Sequence, residues 1–244
     1  SFYCSDEYAN KTFENTLRSD YSNFYYFPTD CPHREKSGWT GDVALSSEQF
    51  CLLLDCEKSL RMWLSCLRDC QKENGALPCI VPTGGWGYGW GSGPSWDSVI
   101  AFTPYMLYRY TGHKEILEEN ADAIYKYLGF LRSIRNDKGT IDYGLGDWCQ
   151  IGALRDSDPW TPAEVTDTLN AIEFCRKSEK IFSVLNQGDR AGEARALGDS
   201  LRKAARNNFV EWRYGDAYFC RPYCKTQTAQ AMLIRNGIFD REEL

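Results

Sequence analysis

Segments with apolar residues at the 3.6-residue spacing of an α-helix run through nearly all of this chain, and they alternate with three long irregular segments that hold most of its tryptophan. A chain patterned this way has few ways to fold. Amphipathic helices must bury their apolar stripes against one another, so the expected class is all-α, with roughly eight helices in hairpin-like succession. Ser5 followed by Asp6 and Glu7 predicts an N-cap and an acidic first turn for a helix through Phe13 and Leu17. Asp42 to Leu54 carries Val43, Phe50 and Leu54 on one face, and Cys56 to Cys70 repeats the pattern with Leu60, Trp63, Leu64 and Leu67. Helices are expected over 96–111, around Ile100, Tyr105, Leu107 and Tyr108, and over 113–134, where Leu117, Ala121, Ile124, Leu128 and Leu131 recur. Thr161 as N-cap and Pro162 behind it open a helix through Leu169, Ile172, Phe182 and Leu185 that runs to Gln187, where Gly188 stops it. Leu197, Leu201, Ala204 and Phe209 mark the next helix, and Thr226 to Asn236, ended by Gly237, marks one more. Strand is confined to short pieces near Trp212 to Cys220.

The irregular segments are Thr29 to Asp42, Pro82 to Ser95, and Asn136 to Trp160. Loops beyond about 12–15 residues in a compact domain are usually functional or disordered, and tryptophan-rich loops fit disorder poorly. The expected arrangement is therefore a helical scaffold carrying a site on loops at one end. The 244 residues suffice for one large domain or two small ones. A net charge of −6 with no basic stripe argues against a nucleic-acid partner. No apolar run approaches 18 residues, so no membrane span is expected, and Ser1-Phe2-Tyr3-Cys4-Ser5 lacks the regions of a signal peptide. The missing initial Met and the helical segment beginning near Leu244 make both ends read as cuts.

The 11 cysteines are odd in number and several lie inside helical patterns, so they read as free thiols, which favours the cytoplasm over the periplasm. Cys66, Cys70 and Cys79 lack the Cys-x-x-Cys or histidine spacing of a zinc site, and no metal or cofactor is expected. Gly84-Gly85-Trp86-Gly87-Tyr88-Gly89 has no following Lys-Ser/Thr and is a weak phosphate loop. Ser/His/Asp chemistry has little support, because Gly-x-Ser-x-Gly is absent and the two histidines are His33 and His113.

The first irregular segment has the composition of a site. Asp30, Glu35 and Asp42 stand five and seven residues apart, with Arg34 and Lys36 flanking the middle acid. Carboxyls set among charges of both signs can be driven toward different protonation states, as acid/base work requires. Helix capping and a local Arg34 salt bridge would explain the same residues without chemistry, and spacing alone does not choose. Trp39, Trp86, Trp90, Trp96, Trp148 and Trp160, six of the eight tryptophans, lie in or beside the irregular segments, with Asp97 next to Trp96 and Asp147 next to Trp148. Indoles beside carboxylates suit sugars, whose C–H faces stack on the ring while their hydroxyls bond to acids; indoles that merely plug the ends of a helical bundle are the structural counterpart.

These residues resemble those of a family, the bacterial α-L-rhamnosidases of glycoside hydrolase family 78. The likeness runs through Cys4-Ser5-Asp6-Glu7, Asn10, Asn23, Pro28-Thr29-Asp30-Cys31-Pro32-His33-Arg34-Glu35-Lys36 and Gly38-Trp39-Thr40-Gly41-Asp42. It resumes at Trp96-Asp97, Pro104-Tyr105, Leu107-Tyr108, Gly146-Asp147-Trp148, Thr161-Pro162 and Thr226-Gln227-Thr228-Ala229-Gln230-Ala231. The resemblance implies an (α/α)6 barrel of six-hairpin type and inverting hydrolysis of terminal α-L-rhamnosides, which needs two carboxyls about 6.5–9.5 Å apart. It implies Glu35 as general acid, Asp30 and Asp42 as acids that bind the rhamnose hydroxyls with Arg34 and Trp39 in the same motif, and Asp97 and Trp148 at later sugar-pocket positions; the indole-and-acid pattern adds Trp86, Trp90, Trp96 and Asp147 as substrate-binding candidates. A general acid must hold its proton until it is needed, which Asp30 and Asp42 would favour and Arg34 oppose. The implied general base, a Glu in a Thr-x-Trp-Glu-like segment, has no match here; Glu164 could stand in, with nothing in the sequence to prefer it. An (α/α)6 barrel needs about twelve helices, so residues 1–244 are expected to be the N-terminal two-thirds of one catalytic barrel. Uncovered apolar helix faces then predict self-association. A non-catalytic sugar-binding module, or a glycosidase or lyase for another sugar, is the alternative reading.

Overall fold

The computed structural model describes residues 2–88, 92–147, 161–213, 217–220 and 226–239. Its helices are α1 (Glu7–Asn23), α2 (Thr40–Leu53), α3 (Glu57–Asp69), the single turn α4 (Pro94–Asp97), α5 (Val99–Thr111), α6 (Glu115–Ser133), α7 (Ala163–Val184), α8 (Gly188–Phe209) and α9 (Gln227–Arg235). Two strands, β1 (Val210–Arg213) and β2 (Ala217–Cys220), pair antiparallel with Val210 opposite Cys220. The eight long helices of the sequence pattern are all present.

They form two rows. α2, α5, α7 and α9 are successive neighbours in one row, and α3, α6 and α8 make the other, with α8 packed along α7. Burial follows the same division. α3 buries Leu60, Trp63, Leu64 and Leu67, an amphipathic i, i+3, i+4, i+7 stripe, whereas α7 is buried over most of its circumference, as a helix between neighbours must be. The indole N–H of fully buried Trp63 donates to the Val81 carbonyl at 2.9 Å, which ties the core to the second irregular segment.

The connections alternate in length. Three residues join α2 to α3, α5 to α6 and α7 to α8, while the α1–α2, α3–α5, α6–α7 and α8–α9 connections are long. Because successive helices run in opposite directions, every long connection emerges at the same end. Backbone bonds across loops confirm it: Thr40 N–H donates to the Cys79 carbonyl at 2.9 Å, and Leu145 N–H to the Ser92 carbonyl at 3.4 Å.

Several expected boundaries move. Asp6, not Ser5, caps α1, its Oδ1 accepting from the amides of Tyr8 and Ala9 at 2.8 and 3.1 Å. α2 begins at Thr40, which puts Asp42 in its first turn. The 96–111 segment is broken at Ser98 into α4 and α5. α7 stops at Val184, Asn186 takes the left-handed conformation (φ 58°), and Gly188 opens α8 instead of closing α7. Thr161 does not cap α7, because its hydroxyl is engaged elsewhere, whereas Thr226 does cap α9, accepting from Ala229 N–H at 3.2 Å.

Candidate active site

The α1–α2 connection is a loop closed by one of its own acids. Thr29 anchors its entry, with N–H and hydroxyl both donating to the Asn23 carbonyl at 2.8 and 2.9 Å. Asp30 then makes both ends of the neck: its N–H donates to the Ser37 carbonyl at 3.0 Å and its Oδ1 accepts from Ser37 N–H at 2.9 Å. Within the loop Glu35 N–H donates to Cys31 Sγ at 3.1 Å, and Lys36 holds a left-handed φ of 54°, a strained conformation for a lysine. The Trp39 indole N–H donates to Glu35 Oε2 at 2.9 Å. Glu35 and Asp42 are exposed and Asp30 is half-buried.

The three acids share one electrostatic field. Although Asp42 reaches solvent, the protein atoms crowded around its carboxyl partly desolvate it and push it above the ordinary aspartate value; its backbone hydrogen bond pulls the other way, and the charges of Asp30 and Glu35 add to the rise. Arg34 is exposed and has no ion-pair partner among the described residues, so the local salt bridge that would have explained the segment structurally does not form.

The second irregular segment is laid directly on the first. Val81 N–H donates to the Gly38 carbonyl at 2.9 Å, and Trp39 pairs with Ile80 as an isolated bridge. A Cβ on Gly38 would strike the Val81 carbonyl oxygen, so the close approach of the two loops requires glycine there. Beyond it, Trp86 sits on a tight turn, its N–H donating to the Thr83 carbonyl at 3.1 Å, with its ring edge-on to Trp39 (centroids 6.5 Å, planes 85°). Trp96 on α4 packs its indole over Gly41, where a Cβ would come within 2.7 Å of the ring nitrogen. Trp90 and Trp148 lie outside the described residues.

Asp97 faces inward. It is 1% exposed, accepts from the Ser92 hydroxyl, and accepts from the Tyr127 hydroxyl at 2.9 Å. Burial drives its carboxyl well above the ordinary range, the two hydroxyl donors work against that, and the nearby Asp167 charge adds to it. Both oxygens are committed within the protein, and α4 turns Asp97 beneath Trp96 instead of toward the loop surface. Asp147 is half-buried and accepts from the Thr161 hydroxyl at 2.9 Å, and Thr161 meets the Thr226 hydroxyl at 2.5 Å, so this acid joins the third loop to the starts of α7 and α9.

A sequence model of the bacterial alpha-L-rhamnosidase 6 hairpin glycosidase domain matches residues 1–244. The chain belongs to this family. An alpha-L-rhamnosidase of Formosa agariphila is 29% identical over 217 residues, covering 86% of this chain and 23% of that protein. Among solved structures, an alpha-L-rhamnosidase from Dictyoglumus thermophilum is 30% identical with a TM-score of 0.88, covering 100% of this chain and 27% of that one. One from Aspergillus terreus is 26% identical with a TM-score of 0.86, covering 100% of this chain and 28% of that one. This chain therefore spans about a quarter of the length of these relatives.

One feature of this rhamnosidase-family chain escaped the sequence reading. Asp167, on α7, is fully buried; its Oδ1 accepts from the Ser95 amide (3.3 Å) and hydroxyl (2.6 Å), and Asn170 in turn donates to that hydroxyl at 3.0 Å. Burial raises the Asp167 carboxyl to about 7, against the Ser95 bonds and with a contribution from Asp142. Its Oδ2 has no partner among the described residues and abuts Gly144, where a Cβ would lie 2.5 Å away. The only available signal was one acid among the apolar and small residues of Val165 to Leu169. Glu164 also proves to be structural: burial raises its carboxyl, but bonds from Thr140, Lys138 and Asn136 outweigh that and hold it below the ordinary value. Among the described residues no set of three or more His, Cys, Asp or Glu gathers as metal ligands, and no helix is long and apolar enough to cross a membrane.

Proposed function

We propose that this chain carries the acid half of an inverting α-L-rhamnosidase site, in which Glu35 protonates the leaving oxygen of a terminal α-L-rhamnoside. The Trp39 to Glu35 bond carries the reading. An indole N–H fixed on Oε2 leaves Oε1, which has no partner among the described residues, as the oxygen that bears the transferable proton. The proton is thereby aimed by a rigid ring instead of a flexible side chain. Asp30 and Asp42, on the same loop and the adjoining helix turn, are the acceptors for sugar hydroxyls, with Arg34 and the indoles of Trp39 and Trp96 beside them.

An inverting reaction also needs a carboxylate that activates water from the opposite face of the sugar. Glu164 is locked by Lys138 and Thr140, and Asp97 and Asp167 are sealed from solvent. We place the base in the additional length that the relatives possess. Residues 1–244 then form four hairpins of a single six-hairpin barrel.

The test uses the full-length enzyme and rhamnosides with poor, alkyl leaving groups, which depend most on acid catalysis. Hydrolysis should release rhamnose with inverted anomeric configuration, followed by NMR, and Glu35→Gln should lower turnover by about 10²–10⁴-fold. Near-normal turnover of the variant on the alkyl substrate would remove Glu35 from the acid role, and cleavage of other glycosides but not rhamnosides would overturn the substrate assignment.

A further inference from the structure

Trp86 is 46% exposed, and among the tryptophans with described side chains it is the exposed one: Trp63 is fully buried and Trp39 and Trp96 are half-buried. The ring is also held in place. Its backbone closes a turn with Thr83 in both directions, through Trp86 N–H to the Thr83 carbonyl and the Thr83 hydroxyl to the Trp86 carbonyl. Gly84, Gly85 and Gly87 adopt φ values of 57°, 93° and 90°, so this turn is written for glycine, and the Gly87 carbonyl accepts from Cys79 N–H at 3.2 Å. Among its described residues, the second loop thus presents the Trp86 ring, partly exposed, on a pinned backbone.

Its neighbour gives that ring a place in the reaction. Trp86 stands edge-on to Trp39, and Trp39 is bonded to Glu35. In glycoside hydrolysis the general acid lies beside the glycosidic oxygen, so the group that departs occupies the acid's side of the bond. A ring one indole away from the acid, and open to solvent, flanks the leaving group and not the rhamnose. Resting on the assignment of Glu35 given above, we infer that Trp86 is the wall of the leaving-group subsite and determines aglycone selectivity. It favours aglycones with a flat face, an aromatic ring or the C–H face of a second sugar, over small alkyl groups.

Selectivity measurements on the full-length enzyme test this. Trp86→Ala should lower kcat/KM for an aryl rhamnoside with an extended aromatic aglycone about tenfold more than for methyl rhamnoside, and Trp86→Phe should restore most of the difference. The inhibition constant of free rhamnose, which has no aglycone, should change far less than the aryl kcat/KM. Equal losses on aryl and methyl substrates, or a rise in the rhamnose inhibition constant matching the aryl loss, would overturn the inference and place Trp86 against the sugar or in a purely structural role. If the wild-type enzyme cleaves no rhamnoside, the substrate assignment fails first; an active enzyme whose aryl-to-methyl ratio is unmoved defeats the role of Trp86 alone.

Discussion

Asp30, Glu35 and Asp42 ride on a loop and helix start that reach solvent, whereas Asp97 and Asp167 lie beneath the same aromatic cluster at 1% and 0% exposure. The two groups are held by different chemistry. The loop acids are arranged by backbone amides, a thiol-anchored turn and an indole, which leave oxygen atoms available. The buried acids are held by hydroxyls, from Ser92 and Tyr127 on one and Ser95 on the other, and no cation is bonded to either among the described residues. A carboxyl removed from water and given neutral donors is pushed toward its neutral form, which can serve as a fixed strut but is poorly placed to meet a substrate. The residues flanking Trp96 are each bonded to this buried layer, Ser95 through Asp167 and Asp97 through its own carboxyl. We read the lower layer as the support that keeps the Trp96 indole on Gly41, next to Asp42.

The largest effect that could break this division is catalytic. Glu35→Gln in the full-length enzyme should cost about 10²–10⁴ in turnover on an alkyl rhamnoside with little change in thermal midpoint. Asp97→Asn should do the reverse in kind, acting mainly on stability. If Asp97→Asn kept the midpoint but lost as much turnover as the Glu35 variant, the upper and lower acids would not be separate groups.

The next effect concerns pH. The folded Asp167 carboxyl titrates near 7, above the ordinary aspartate value of 3.8, so the folded chain binds its proton more tightly than the unfolded chain does. Its contribution is therefore fully present below about pH 4, declines as pH rises, and is lost by about pH 7. Asp167→Asn, which mimics the neutral acid, should match the wild type at pH 4 and exceed it at pH 8, with a difference on the order of a few kcal/mol. Thermal unfolding across that range decides it; parallel curves for the two proteins would mean that Asp167 is not buried as a neutral acid.

How much of this was legible in the sequence depends on the range of the interaction. The helices were readable because their apolar stripes are local, as in Leu60 to Leu67. The first loop was readable because its acids and glycines lie within one short segment. The burial of Asp97 was not legible because Trp96-Asp97 and Asp147-Trp148 look alike as dipeptides; what separates them is the break at Ser98 and a hydroxyl on α6, thirty residues away. Asp167 was invisible for the same reason, since its partner Ser95 and its neighbour Gly144 come from two other segments. The end of α7 was misjudged because a left-handed Asn186 did the work expected of Gly188.

A smaller effect sharpens the lower layer itself. Tyr127→Phe removes the donor to Asp97 Oδ2 while keeping the ring that packs on Phe130 and Phe174. An unsatisfied buried acceptor costs about 1–3 kcal/mol, and the loss should appear as a lower unfolding midpoint. Tyr125→Phe, whose hydroxyl meets the half-exposed Glu193, should cost much less. Equal losses would show that the buried hydroxyl layer has no special weight.

Glu164 gives the smallest effect and the opposite sign. It is half-buried and held by Lys138 and Thr140, and its carboxyl is kept below the ordinary value of 4.5. The folded chain therefore binds this proton less tightly than the unfolded one, so the contribution is present above about pH 4.5 and is lost as pH falls below it. Lys138 is largely exposed, which screens the pair and limits the gain to under about 1 kcal/mol. Glu164→Gln should then lower the midpoint slightly at pH 7 and leave it unchanged at pH 3, with added salt narrowing the difference. The contrast with Asp167 isolates the variable that matters: two acids three residues apart on α7, one given a cation and one given only hydroxyl and amide donors, should bend the stability curve in opposite directions.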